Sequence, residues 1–278
     1  EMCIRDSHKA VQNFPGANGD ITKLLQMHPA VQFSASQKSS NNPGEIDPAD
    51  ISINGAKFWQ NNFMIDGISI NNDLDPGAHG YGENRLFDSA PSRSYGIALD
   101  ADQLEEVKVY DSNVPAEYGG FNGGVIDAIT RRPTKDFHGK ISYAMSRSEW
   151  TEYHITEADQ SKFENSTDEQ YTPEFEKTTV RGTLEGYLTD DFGAIFNFSR
   201  RRSTIPLNLY DNSYVSPNND SQQDQERQLD SYTLKTYWDV NDRLTLETTL
   251  LKAPQESVMF RDNYLLSLIH ISEPTRRR

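Results

Sequence analysis

The stretch Leu99–Gly139, LDADQLEEVKVYDSNVPAEYGGFNGGVIDAITRRPTKDFHG, decides the fold. Asp100 with Gln103 three residues later resembles a capping box and predicts a short helix ending near Glu106. Val107-Lys108-Val109-Tyr110 reads as a strand, and Val125 to Thr130 reads as another after a glycine cluster. Arg131-Arg132-Pro133 is a basic linker. Residues after it begin a long alternating run. A short mixed segment therefore hands over to something built of long strands.

Working outward, the chain divides near Pro133. Downstream, five strands are predicted at about 137–148, 176–188, 192–203, 228–239 and 243–252. Phe192, Ala194, Phe196 and Phe198 share one face, opposite Gly193, Ile195, Asn197 and Ser199. Tyr232, Leu234, Trp238 and Val240 oppose Ser231, Thr233, Lys235 and Tyr237; Leu244, Leu246 and Leu250 oppose Arg243, Thr245, Glu247 and Thr249. A period of two implies one apolar and one polar environment. Connections alternate between short turns (189–191, 240–242) and long polar loops (149–175, 204–227), the rhythm of a bacterial membrane barrel.

Upstream, Asp20 can cap a helix with Ile21, Leu24 and Leu25 on one face, ended by Pro29. Ile51–Asn54 reads as a strand, and Phe63-Met64-Ile65 begins another. Asp66-Gly67 is a turn signal before Ile68 and Ile70. Residues 71–96 read as a long loop rich in Asn, Asp, Gly and Pro.

Bulk properties narrow the classes. The 278 residues carry a net charge of −15, so nucleic acid is excluded as a partner. Mean hydropathy is −0.75, and no apolar run reaches the roughly 18 residues of a spanning helix. A β-barrel escapes that test, because its strands are apolar only at alternate positions. The single cysteine, Cys3, lies in EMCIRDS. Residues 1–7, and the tail SLIHISEPTRRR from Ser267, resemble translated sequencing adaptor and are set aside.

Four segments carry a family resemblance: DITKLLQMHPAVQ (Asp20–Gln32), ISINGAKFWQNNFMIDGISINN (Ile51–Asn72), Leu99–Pro133, and TKDFHGKISYAMS (Thr134–Ser146). In that order they resemble the plug helix, central plug hairpin, closing plug motif and first barrel strand of TonB-dependent outer-membrane receptors. The resemblance implies a mainly β chain: a mixed α+β plug (8–133) followed by the first antiparallel strands (134–266) of a transmembrane barrel of about 22 strands, truncated. It also implies a bacterial outer-membrane monomer that imports an iron chelate, cobalamin, oligosaccharide or peptide. The energy source is the TonB–ExbB–ExbD complex. No energy-coupling box is recognised before Asp20.

Candidate residues follow. Glu117, Tyr118, Gly119, Gly120, Gly123 and Gly124 could suggest a phosphate loop, but a strand rather than a helix follows them. The expected reading, together with Asp66 and Gly67, is a structural plug motif in which glycine permits tight turns and close approach to a barrel wall. Lys57, Phe58, Trp59 and Gln60 are placed at the tip of the central hairpin. They are candidates for substrate contact, with packing inside the barrel as the alternative. Tyr81, Arg85, Arg93 and Tyr95 form a second candidate patch. Arg131 and Arg132 are either a simple linker or an anchor to carboxylates such as Glu247. The acidic loops are either solvated surface or a vestibule attracting cations. The six histidines show no metal-ligand spacing, so no metal, cofactor or catalytic site is expected. The competing classes are a surface adhesin or glycan-binding β-protein and a secreted carbohydrate-active enzyme.

Overall fold

A computed structural model describes residues 4–7, 21–25, 28–33, 42–71, 100–167, 171–208 and 222–258. Two bodies are built along the chain.

The N-terminal body is a small mixed domain. Its five-stranded sheet has the order β1 (Ile4–Ser7), β6 (Leu104–Tyr110), β7 (Val125–Thr130), β4 (Asn62–Ile65), β5 (Ile68–Ser69). β4 runs parallel to β7, and the other pairs are antiparallel. β2 (Val31–Phe33) and β3 (Ile51–Ile53) form a separate ribbon, preceded by the one-turn helix α1 (Ile21–Leu24). Ile21, Leu25, Val31, Ile51, Ile53, Phe63, Leu104, Val107 and Val109 close one core between sheet, ribbon and helix. Residues 4–7, set aside in the sequence reading, lie antiparallel to β6 at the sheet edge.

Two expectations change here. The helix predicted over Asp100–Glu106 is only a 3-10 turn, Ala101–Gln103. Asp100 Oδ1 does accept the Asp102 N–H at 3.0 Å, as a cap would. However, Leu104, Val107 and Val109 are all buried, and a register shift between Leu104 and Glu106 lets a strand bury residues three apart. The expected central hairpin over 51–72 splits as well. β3 belongs to the ribbon and β4 to the sheet, so Phe58–Gln60 is a 3-10 connection between them rather than a hairpin tip. The true hairpin is β4–β5. Asp66 and Gly67 have φ of 47° and 80°, the left-handed pair a tight two-residue turn needs.

The second body is a single antiparallel sheet. Its order is β12 (Leu244–Lys252), β11 (Gln222–Asn241), β10 (Phe192–Asn208), β9 (Glu176–Tyr187), β8 (His138–Arg147), with β13 (Gln255–Val258) also on β11. The expected long loops are shorter than read. Within 149–175 lies helix α2 (Glu157–Glu164), pinned by Phe163 stacked 4.8 Å from Tyr153. At the ends of the 204–227 segment, β10 runs on to Asn208 and β11 begins at Gln222. Ile205 and Leu207 bury with Phe175, and Pro206 sits on the opposite face.

The sheet is inside out relative to a water-soluble one. Leu184, Phe196, Leu234 and Leu250 stand side by side across four strands and are 37–61% exposed. The next residues along, Glu185, Ile195 and Lys235, are at most 2% exposed. Two aromatic cross-strand pairs bound the bare apolar band: Phe192 opposite Trp238, and Phe198 opposite Tyr232 with ring centroids 5.2 Å apart. Beyond Phe198 the outer face turns ionic, with Arg200–Asp230 at 2.7 Å and Arg202–Glu226 at 2.8 Å. Hydrocarbon solvates such a band, and aromatic girdles mark its rims. Leu234→Arg, between the two aromatic pairs, is expected to destabilise the membrane-inserted protein by about 2–4 kcal/mol, read from denaturant midpoints in bilayers.

Candidate functional site

The buried polar face of the sheet contacts the N-terminal domain through hydrogen bonds and ion pairs. Lys235, on β11, is the deepest link. Its Nζ lies 2.6 Å from Glu247 on β12, donates to Thr130 O at 3.1 Å and Oγ1 at 2.9 Å, and sits 3.8 Å from Asp66. Asp66 accepts from the Thr130 N–H at 2.9 Å and from Thr249 Oγ1 at 3.3 Å. The Asp66-Gly67 turn therefore holds a carboxylate against the wall as well as reversing the chain.

Higher up, Gln103 Oε1 accepts from Ser231 at 3.0 Å and Thr233 at 2.8 Å. Arg181 Nε donates to Asp100 Oδ2 at 2.8 Å. Burial pushes the Asp100 carboxyl above its usual range, opposed by Arg181 and Arg201. Gly44 N donates to Thr172 Oγ1 at 3.0 Å, and Arg227 lies 3.4 Å from Glu45. Leu251 supplies an apolar contact to the domain core.

The linker is fixed by Glu185, whose side chain is 1% exposed. It accepts from Arg131 Nη2 at 2.7 Å and the Thr134 N–H at 3.2 Å, with His138 Nε2 3.3 Å away. Arg132 pairs with Glu247 at 3.2 Å and covers the Tyr237 ring, but its side chain is 66% exposed, so the pair contributes little.

The structure brings two of the sequence-derived groups together. Gln60 O accepts from the N–H groups of Asn122 and Gly123, and Asn62 Nδ2 donates to Gly119 O at 2.9 Å. Phe58 and Trp59 meet edge to face at 4.6 Å with Lys57 over the indole. This cluster occupies the end of β4 opposite Asp66. Close approach at the glycines is to the domain's own backbone, not to the wall as expected. A Cβ on Gly124 would stand 2.7 Å from Tyr110 O and 2.8 Å from Ile53. Gly120 adopts φ +72°. Tyr118 donates to Asp127 Oδ2 at 2.9 Å; burial and the Asp127 charge raise its hydroxyl pKa. Glu117 is exposed. Tyr81, Arg85, Arg93 and Tyr95 lie outside the described residues. Among the described residues no His, Cys, Asp or Glu group is arranged to hold a metal.

Sequence reasoning did not single out Glu185, Arg181 or Glu45, and it read Asp100 and Gln103 only as a helix cap. Strand parity already placed Lys235 on the polar face. Its partners come from sequence-distant segments that no local pattern connects.

An inverted sheet holding a mixed domain by polar contacts is the arrangement of a plugged outer-membrane barrel receptor. Residues 7–126 match the TonB-dependent receptor plug domain. Over 249 residues the chain is 37% identical to the uncharacterized protein YddB of Escherichia coli, covering 87% of this chain and 30% of that one. It is 28% identical over 131 residues to the TonB-dependent transporter Oar of Myxococcus xanthus, covering 46% and 10%. The crystal structure of the outer membrane transporter YddB superposes with a TM-score of 0.81 at 33% identity, covering 93% of this chain and 33% of that one. The ferric enterobactin receptor of Pseudomonas aeruginosa shares the fold, with a TM-score of 0.60 at 15% identity over 94% and 33%. The chain belongs to the TonB-dependent outer-membrane receptors and carries their plug and the first strands of their barrel. It spans about a third of the length of YddB.

Removing the Lys235 charge leaves the Asp66 and Glu247 carboxylates facing each other without it. Lys235→Met is expected to weaken plug seating by about 3–5 kcal/mol, measured as faster limited proteolysis of the plug in the folded receptor.

Proposed function

We propose that the full receptor imports a specific nutrient through the plugged barrel, powered from the inner membrane by the TonB–ExbB–ExbD complex. Residues 8–133 act as the stopper and 134–266 as wall. The observation that carries this reading is the polar seat beneath the plug. Hydrogen bonds and ion pairs to the wall exchange for water at modest net cost, about 0.5–1.5 kcal/mol for each neutral bond. A small domain held this way can be remodelled and reseated, whereas an apolar seat would resist wetting. The relatives are transporters and receptors, and the chain works without catalysis of its own.

Cargo is gripped outside the membrane. Phe58 and Trp59, each only half-buried, offer an aromatic platform with Lys57 beside it. Tyr81, Arg85, Arg93 and Tyr95 are kept from the sequence as a second set of cargo-contact candidates. An iron chelate, cobalamin, an oligosaccharide and a peptide remain the cargo classes. The adhesin reading has no use for a buried ionic seat inside an inverted sheet.

Deleting the gene should abolish growth on one member of a panel of iron and carbon sources. Restoring the receptor should recover that growth only while the proton gradient stands. Trp59→Ala should lower cargo affinity about tenfold while leaving the receptor folded, consistent with loss of one aromatic anchor. Growth unchanged across the panel, or uptake indifferent to the gradient, would overturn the reading.

A further inference from the structure

We propose that the wall uncovered when the plug moves is an anion-conducting surface, so that the cargo crossing it bears net negative charge. This rests on the import reading above and names the class of cargo.

Strand register decides which side chains face the plug. On the described wall these include six cations: Lys140, Lys177, Arg181, Arg201, Arg227 and Lys235. The acids at the same parity are Glu185, Asp239 and Glu247, half as many. The lipid-facing parity carries no such excess, because Arg147, Arg200 and Arg202 are each matched by a carboxylate on the neighbouring strand.

The cations climb the lumen as a ladder. Arg227 and Lys235 are eight residues apart on β11, roughly 26 Å along the strand. Arg201 stands opposite Leu229, and Arg181 is linked through Ser199 to the Ser231 level, so both fall between them. Three of these cations meet plug carboxylates. Asp66 lies 3.8 Å from Lys235, Asp100 2.8 Å and Asp102 3.9 Å from Arg181, and Glu45 3.4 Å from Arg227. Arg201 is 4% exposed, its Nε has no hydrogen-bond partner, and the Asp100 charge acts on it. The plug as a whole is acidic, with sixteen Asp and Glu against nine Lys and Arg over residues 8–133.

The plug is thus the anion that the ladder holds at rest. Withdrawing it leaves cations in a narrow passage with low-dielectric walls, where their field is focused. A neutral or cationic cargo would pass without compensating them. An anionic cargo replaces the lost carboxylates rung by rung, and lysine or arginine linings favour anions in pores generally. The acids on α2, Glu157, Asp159 and Glu164, do not reverse this, since they are exposed on the outer loop. Physiological salt screens exposed charges over about 8 Å.

The test needs no knowledge of the cargo. The full-length receptor is placed in a planar bilayer across a potassium chloride gradient, and a few molar urea is added to loosen the polar plug seat. The opened pore should pass chloride over potassium. Arg181→Gln with Arg201→Gln should lower the permeability ratio at least about twofold. Arg201→Lys should preserve it, and Arg147→Gln, on the lipid-facing parity, should leave it unchanged. A cation-selective pore, or a ratio unmoved by the double variant, would overturn the anion passage while leaving import intact. A receptor that stays shut as its plug unfolds would overturn the import reading itself. Closed baselines before urea confirm that each variant seats its plug.

Discussion

A lysine held away from water between two folded bodies is the constraint on which the structure turns. Lys235 belongs to a strand whose alternate residues face hydrocarbon, so it cannot turn outward without placing a charge in lipid. Facing inward, it needs anions and acceptors, and Glu247, Thr130 and Asp66 provide them. The wall contributes one carboxylate and the plug the other. Neither body satisfies the ammonium alone, and that shared satisfaction fixes where the plug sits. The same reasoning runs up the wall through Gln103 beneath Ser231 and Thr233, and Asp100 beside Arg181. Buried pairs of this kind set geometry more than they add stability. A stopper that must be both placed and displaced requires geometry of that sort.

The plug divides its work between two ends of one short strand. At the far end of β4, Asp66 and Thr130 reach the wall. At the near end, the Phe58–Trp59 cluster rests on the glycine loop through Gln60. The loop's glycines let three pieces of plug backbone come close enough for Gln60 O to accept two N–H groups. The aromatic cluster is thereby tied to the core through β4, instead of hanging from a free loop. The cluster and the ionic seat are thus joined by a strand of only four residues.

Much of this was legible in the residues. The alternation of Phe192–Ser199, Ser231–Val240 and Arg243–Leu250 gave the strands, their faces and the short turns, because a strand between oil and water has no freedom in its period. The turn at Asp66-Gly67 was equally plain, since two consecutive left-handed residues need that chemistry. Reading failed where tertiary pairing overrode a local signal. Asp100 caps one turn as a helix start would, but burial of Leu104, Val107 and Val109 draws the chain straight into a strand. Pro206 and its polar neighbours resembled loop, yet Ile205 and Leu207 find Phe175 and hold the ribbon together. The seat itself was half visible. Lys235 and Glu247 showed at polar positions, while Glu185, Asp100 and Glu45 became partners only once distant segments met.

The overhang of β10 and β11 carries a mechanical consequence. From Phe198, at the outer girdle, the paired strands run on to Asn208, about 30 Å of ribbon if fully extended. Paired Arg–acid rungs on one side and Ile205, Leu207 and Phe175 on the other stiffen it. Such a ribbon behaves as a cantilever: force applied at its tip reaches the membrane rim as torque before it is lost as slack. A load placed at that height would act on the membrane rim by leverage, through a beam clamped where Phe198 meets Tyr232.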